Sequence, residues 1–483
     1  MESNSKRGPA LDILLALALG GGLWFVVNLE PIWFMAWIVP GLLFWLALRT
    51  EGWTSHGLVA IAALVGATSN FTYFLTVMPL VPVMIVMLMQ TLGWVIIYGA
   101  ARRIVKAHDS AWTVLALPVI AVAVDTLLAH FTPDGNWGSL AYTQMEMLTV
   151  AQVAAAFGVG GILFLLMLVN SAIALALVYR TKLRGALPMY AATAAVVAIA
   201  VGYGYGRLQA PDEGKPVNFG LTSVDDFIAR TDSPKSLDVW AQYDAAVLQL
   251  AGSGARIVVL PEKIDVLSSV NAAARKARLA KLARDNHVWL VAGLGVDNGR
   301  QRRNEAWLYS PDGALKTNYL KHFMAPPERE FVAGSEYPVE EIDGLRYGVA
   351  ICKDMHFASL GRGFGARDAA VMLVPAWDFN KDAWMAANMT KLRGVENGFA
   401  VVRSSRNGLL SISDAYGRML AVDKSSNIPG TTLFATAKVG PRVPTIYTRI
   451  GDLLGWLCVA ASVLLIATSW LRKRTNIRPD LAS

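Results

Sequence analysis

The stretch RYGVAICKDMHF (346–357) runs as an apolar β-type segment and then stops abruptly at Cys352, Lys353 and Asp354. Such a run reads as a buried strand of a sheet. A thiol and two charges at its end are poor packing material and good site material. The other cysteine, Cys458, lies in an apolar segment near the C-terminus. On its own, Cys352 reads as a small buried hydrophobe, the usual state of a free cysteine. Two further stretches change that reading.

Upstream, residues 256–260 form an apolar strand that ends in Pro261 and Glu262. A hairpin follows, with its turn at Pro311-Asp312-Gly313, and Lys321 stands just past its second strand. Three reactive side chains at three strand ends can converge, because sites in open sheets gather at strand termini. Their chemistry is complementary. A thiol attacks as thiolate, and an adjacent carboxylate can take its proton. An ammonium can stabilise the oxyanion that attack on a carbonyl creates. Glu262 as base, Lys321 as electrostatic partner and Cys352 as nucleophile would make an acyl-transfer set. Taken singly, Glu262 and Lys321 read equally well as solvated surface charges.

The surrounding segment, 208–447, alternates strands (217–222, 288–296, 370–375, 400–404, 409–414) with helices (237–250, 270–285, 383–397). That pattern suits one layered α/β domain. The rest of the chain is different. Of 483 residues 54% are hydrophobic and only 17% charged, against about 25% charged in a soluble domain. Apolar runs near 9–27, 32–48, 57–75, 79–100, 111–130, 157–179, 188–206 and 451–471 are each about long enough to cross ~30 Å of hydrocarbon. The expected architecture is a helical membrane bundle of about eight transmembrane helices: seven spans in 1–207, the α/β domain in 208–447, and a last helix with its tail in 448–483.

The net charge of +8 sits in short loops: Lys6 and Arg7, Arg49, Arg102, Arg103 and Lys106, Arg180, Lys182 and Arg184, and Arg472, Lys473 and Arg474. These loops fall on one side of an eight-span count, which places both termini in the cytoplasm and the long domain outside. The basic residues therefore report topology rather than a nucleic-acid surface. An outer loop, FTPDGNWGSLAYTQ (131–144), precedes a segment at 145–157 expected to lie as an interfacial helix. Asp125, inside the fifth span, reads either as a functional acid or as a carboxylate reaching interfacial water. The six histidines show no paired metal spacing, so neither metal nor cofactor is expected.

The motifs LPEK around Glu262, YLKHF around Lys321 and ICKDMHF around Cys352, followed by RGVENGFAVVRSSRNG (393–408) and SDAYGR (413–418), resemble the nitrilase, or carbon-nitrogen hydrolase, superfamily. With the spans added, the chain resembles the bacterial apolipoprotein N-acyltransferase family, and WGSLAYTQ is similar to that family's stretch before its sixth span. The resemblance implies an αββα sandwich with a Glu262-Lys321-Cys352 triad. It also implies a ping-pong reaction through a Cys352 thioester. The donor would be a phospholipid acyl chain, and the acceptor the N-terminal amine of a diacylglyceryl-cysteine lipoprotein. The location implied is the bacterial inner membrane, with a periplasmic catalytic domain, membrane lipids as surroundings, and a monomer. Glu328 matches the family's second glutamate; Asp354, Lys353, Trp377, Glu396 and Trp137 are the expected supporting or substrate-binding residues. Lys353-Asp354 stand where the family has Tyr-Glu, and Pro375-Ala376-Trp377-Asp378-Phe379 is closer to soluble amidases. The alternatives are therefore a membrane-tethered nitrilase-type amidase or hydrolase, an acyltransferase with another amine acceptor, and a catalytically inert binding paralogue.

Overall fold

The computed structural model describes residues 9–108, 110–179, 183–211, 214–225, 228 and 233–475. Lys6, Arg7, Arg180 and Lys182, which carry part of the expected charge asymmetry, lie outside them. The chain divides into two compact units, Met1–Tyr205 with Asp452–Ser483, and Gly206–Gly451.

In the first unit, seven helices among the described residues are long and apolar enough to cross a membrane: Pro9–Val26, Gly52–Val77, Leu80–Ala107, Ala111–Phe131, Ala154–Val178, Ala186–Leu208 and Leu453–Arg472. The expected span near 32–48 is a shorter apolar helical stretch, Trp33–Arg49, made of two pieces. A 3-10 turn, Trp33–Trp37, is followed by the helix Val39–Arg49. Backbone groups released at such a break need partners, since hydrocarbon offers none. Asn170 supplies several. Its amide donates to Ala36 O at 2.9 Å and Leu166 O at 2.8 Å, and its Oδ1 accepts the Gly41 N–H at 2.6 Å. A Cβ on Gly41 would meet Asn170 O at 2.7 Å, so the glycine permits the approach. Gln144, at the end of the 3-10 turn Leu140–Gln144, donates to Trp33 O at 3.0 Å and accepts from Trp37 Nε1 at 2.8 Å.

The expected interfacial helix at 145–157 is also broken. Only a four-residue turn, Leu148–Ala151, precedes the helix Ala154–Val178, in which Gly158 adopts φ 65°. Glycine is the residue that enters that region without strain. Asp125 accepts from Asn136 Nδ2 at 2.9 Å, and Asn136 accepts from Tyr142 OH at 3.2 Å.

The second unit contains thirteen strands among the described residues. In chain order they are β1 (Lys215–Ser223), β2 (Ile257–Val259), β3 (Val266–Leu267), β4 (Trp289–Asp297), β5 (Arg302–Tyr309), β6 (Leu315–Leu320), β7 (Val339–Ile342), β8 (Leu345–Val349), β9 (Val371–Trp377), β10 (Ala400–Arg406), β11 (Leu409–Ser413), β12 (Met419–Lys424) and β13 (Thr431–Val439). They form two sheets. The first runs β13-β1-β2-β4-β5-β6 with β3 beside β4, and the second β12-β11-β10-β9-β8-β7.

The pleat sorts the side chains between layers. Ile257 and Val259 of β2, with Phe219, Leu221 and Val291, join Tyr347, Val349, Leu373, Val401 and Ile412 of the second sheet in one core between the sheets. Their neighbours Val258, Leu260, Leu290 and Ala292 face the other way. They pack on Trp240, Tyr243 and Val247 of the helix Pro234–Gly252 and on Leu279 and Ala283 of the helix Ala272–Asp285. The helix Ala383–Asn397 packs on β10 and β11. The result is an αββα sandwich. Central strands β1, β2 and β4, like β8, β9 and β10, pair in parallel, so their C-terminal ends fall on one side of each sheet.

Candidate active site

Three of those strand ends meet. Glu262 follows β2, Cys352 follows β8, and Trp377 closes β9; Lys321 follows the edge strand β6. The Glu262 N–H donates to Ala376 O at 3.2 Å, which ties the turn after β2 to β9 in the opposite sheet. Two tight backbones aim the side chains. Cys352 has φ 44° and Lys263, next to Glu262, has φ 50°. Non-glycine residues in that region are uncommon and cluster where a side chain must be aimed. Beneath the Glu262 turn lies Gly293 of β4, where a Cβ would stand 2.6 Å from Glu262 Cα and from Pro261 O. The close crossing requires the absent side chain.

The charged groups form one buried cluster. Lys321 Nζ donates to Glu262 Oε1 at 2.8 Å and to Glu328 Oε2 at 2.7 Å. Lys263 pairs with Glu328 Oε1. Asn304 Nδ2, from the middle of β5, donates to Glu262 Oε1 at 2.5 Å and to Glu328 Oε1 at 2.8 Å. Only 1% of Lys321 is exposed, so neither water nor salt screens these pairs strongly. Burial pulls the Lys321 ammonium down, but Glu262 and Glu328 outweigh it and hold the pKa well above the usual lysine range. Lys321 therefore stays charged and serves as an electrostatic group, not a base. Burial pushes the Glu328 carboxyl up, and Lys321 and Lys263 bring it down to about 2.

Cys352 is 9% exposed, and its Sγ lies 3.3 Å from Trp377 O, to which the thiol donates. Burial pushes this thiol well above the ordinary range, and Glu262 and Asp378 add to that, while Lys321 and Arg403 oppose it. At neutral pH the resting group is a thiol. Its proton has to leave as the sulfur attacks, which needs a base in place beforehand.

Asp354 is wholly buried and acts on backbone rather than on the thiol. Its Oδ1 accepts from His322 N at 3.0 Å and Phe323 N at 2.8 Å, and its Oδ2 from Tyr319 OH at 2.7 Å and Ile351 N at 3.1 Å. It buckles the cysteine turn onto the chain leaving Lys321. Lys353 donates to Met324 O at 3.1 Å, a second strap between the same two segments. The Trp377 ring stacks with Phe379 and carries the Arg406 guanidinium 4.1 Å from its centroid. Asp378 pairs with Arg403, with Nη1 to Oδ2 at 3.0 Å. Burial raises the Asp378 carboxyl to about 6 although Arg403 opposes it.

Among the expected supporting residues, Glu328 and Trp377 join the cluster, and Asp354 and Lys353 brace it. Glu396 pairs with Arg393 in its own helix, at 3.1 Å. Trp137 belongs to the first unit, stacked on Tyr73 at 5.6 Å between centroids. Asn304, Lys263 and Gly293 are contributors that sequence reading did not single out. The Asn-Glu dipeptide leading into the apolar run Ala306–Tyr309 was the available signal for Asn304.

Residues 228–428 match the carbon-nitrogen hydrolase family, and residues 19–172 match the apolipoprotein N-acyltransferase N-terminal domain. An apolipoprotein N-acyltransferase of Geobacter metallireducens is 23% identical over 90% of this chain and 85% of that protein. One from Bradyrhizobium diazoefficiens is 22% identical over 75% of each chain. A nitrilase of Pyrococcus abyssi is 25% identical over 36% of this chain and 72% of its own length. Among solved structures, an amidase from Nesterenkonia sp. AN1 superposes on 49% of this chain and 95% of its own, with a TM-score of 0.43 and 20% identity.

Proposed function

Because the chain belongs to the apolipoprotein N-acyltransferase family of the nitrilase superfamily, we propose that it moves an acyl chain from a phospholipid to the N-terminal amine of a diacylglyceryl-cysteine lipoprotein. The observation that carries this reading is the joining, in one chain, of a buried Cys-Lys-Glu cluster to seven membrane-length helices. A soluble amide substrate gives no reason for such helices.

Glu262 takes the Cys352 proton as Sγ bonds to the donor's ester carbonyl carbon. Lys321 stabilises the oxyanion that forms. The ester C–O bond then breaks, and Glu262 returns the proton to the departing lysophospholipid oxygen. The lipoprotein's neutral α-amine attacks the thioester, giving a second oxyanion. Glu262 removes the proton from nitrogen, the C–S bond breaks, and the sulfur is reprotonated. Glu328, held ionised, offsets the Lys321 charge and keeps it aimed. Trp377 and Phe379 would wall the acyl chain.

Domains follow as a membrane part in 1–207, a catalytic part in 208–447 and an anchoring helix in 448–483. The positive-inside pattern supports an inner-membrane chain with cytoplasmic termini and a periplasmic catalytic unit. The test is a diacylglyceryl-cysteine peptide incubated with phospholipid and purified enzyme. A product heavier by one acyl group and resistant to hydroxylamine marks an amide and supports the transferase. Free fatty acid with unchanged peptide would mean that water, not an amine, resolves the thioester.

A further inference from the structure

Asn304 has no exposed surface, and both hydrogens of its amide are spent on carboxylates. Its main-chain carbonyl accepts the Lys321 N–H at 2.9 Å, so one residue touches three members of the cluster. Ionised carboxylates only accept, so the NH2 end of the amide has to face them. Its Oδ1 is left buried with no hydrogen-bond partner among the described residues. A buried acceptor without a donor lowers stability. Against that cost stand the two hydrogen bonds it gives to the buried Glu262 and Glu328 carboxylates.

Both hydrogen bonds that Glu262 receives, from Lys321 Nζ and from Asn304 Nδ2, fall on Oε1. An oxygen that already accepts two charge-assisted bonds is a poor proton acceptor, and Oε2 receives neither. We propose that Asn304 is a positioning residue that fixes the Glu262 carboxylate with Oε1 occupied, so that Oε2 is the oxygen that takes and returns the Cys352 proton. The same amide holds Glu328 in register with Glu262, keeping two carboxylates on either side of one ammonium. Without it, Glu262 is free to turn about its terminal torsion and present either oxygen to Lys321. The assignment rests on the proposed role of Glu262 as base. The charged and titratable groups that bear on it are Glu262, Glu328, Lys321, Lys263, Cys352 and Asp354. On β5 itself, Arg303 and Glu305 pair with each other at 3.4 Å.

The test uses full-length protein in detergent with Asn304→Asp, which keeps the shape and loses both donors, and Asn304→Ser, which keeps one. Iodoacetamide alkylation of Cys352, scored on its own peptide by mass spectrometry across pH, needs no lipid substrate. In Asn304→Asp the midpoint of that profile is expected to rise by about a unit or more, because an added carboxylate opposes the thiolate. Single-turnover acylation should fall about 10- to 100-fold, the worth of a charge-assisted hydrogen bond, with KM for phospholipid little changed. Asn304→Ser should fall between this variant and wild type, and it decides the matter if Asn304→Asp does not fold. Variants with wild-type unfolding temperature, alkylation profile and acylation rate would overturn the assignment. A shifted profile in a protein that transfers no acyl group would leave Asn304 in place and remove the transferase reading instead.

Discussion

Glu328 shows how a single side chain is tuned by its neighbours. Burial alone would protonate it, but Lys321 and Lys263 hold it ionised, with a pKa of about 2 against an ordinary 4.5. A depressed carboxyl contributes stability above its unfolded value and loses it as pH falls through its folded value. The contribution is therefore present above pH 4.5 and disappears toward pH 2. Urea unfolding of wild type and Glu328→Gln should diverge most near neutral pH and converge at the acid end. A constant gap across that range would contradict the assignment. Glu328→Gln also leaves Lys321 with one carboxylate instead of two, so acylation is expected to fall by about 10-fold or more. At this scale Glu262 and Cys352 were legible because each ends an apolar strand with a reactive group, and Lys321 because it stands just past the hairpin's second strand. Asn304 was not, because an amide flanked by Arg303 and Glu305 reads as an ordinary polar face. Glu396, expected near the site from its motif, pairs with Arg393, three residues away in its own helix.

Among elements, two contacts decide whether the strand ends meet. Asp354 collects four donors from two segments, 319–323 and the turn at Ile351. An asparagine in its place could accept them through one oxygen only, while setting an NH2 against backbone N–H groups. Asp354→Asn is therefore expected to cost about 2–3 kcal/mol in unfolding free energy and to slow Cys352 acylation. Chemical denaturation and single-turnover acylation check the two parts. Loss of neither would show that the buckle is idle. Gly293 is the second contact: Gly293→Val would press on the Glu262 Cα, so Glu262 must shift. Acylation should drop by about 100-fold or more, the cost of misplacing a reacting group, while the alkylation of Cys352, which follows β8, persists.

Sequence periodicity located most strands of the sandwich to within a few residues. The edge strands β12 and β13 escaped it because they are short on buried side chains: β12 is exposed along nearly its whole length. In the first unit the span expected near 32–48 appears as a shorter apolar helical stretch, Trp33–Arg49, with a break that hydropathy does not register. Hydropathy measures composition and is blind to backbone, and here Asn170 and Gln144 supply partners that allow a broken path. Asn170→Leu should destabilise that unit by about 1–2 kcal/mol per hydrogen bond lost, read as a lower unfolding temperature in detergent. An unchanged temperature would mean the break is satisfied in some other way.

For the whole molecule, a buried thiol and a set of membrane-length helices serve one proposed reaction. The most direct test is intact-protein mass spectrometry of detergent-purified wild type and Cys352→Ala after incubation with phospholipid. Wild type should gain the mass of one fatty acyl group, lose it to hydroxylamine, and lose it equally on addition of a diacylglyceryl peptide. Cys352→Ala should gain nothing. An adduct that survives hydroxylamine, or that forms on Cys352→Ala, would place the acyl group elsewhere and contradict the central claim.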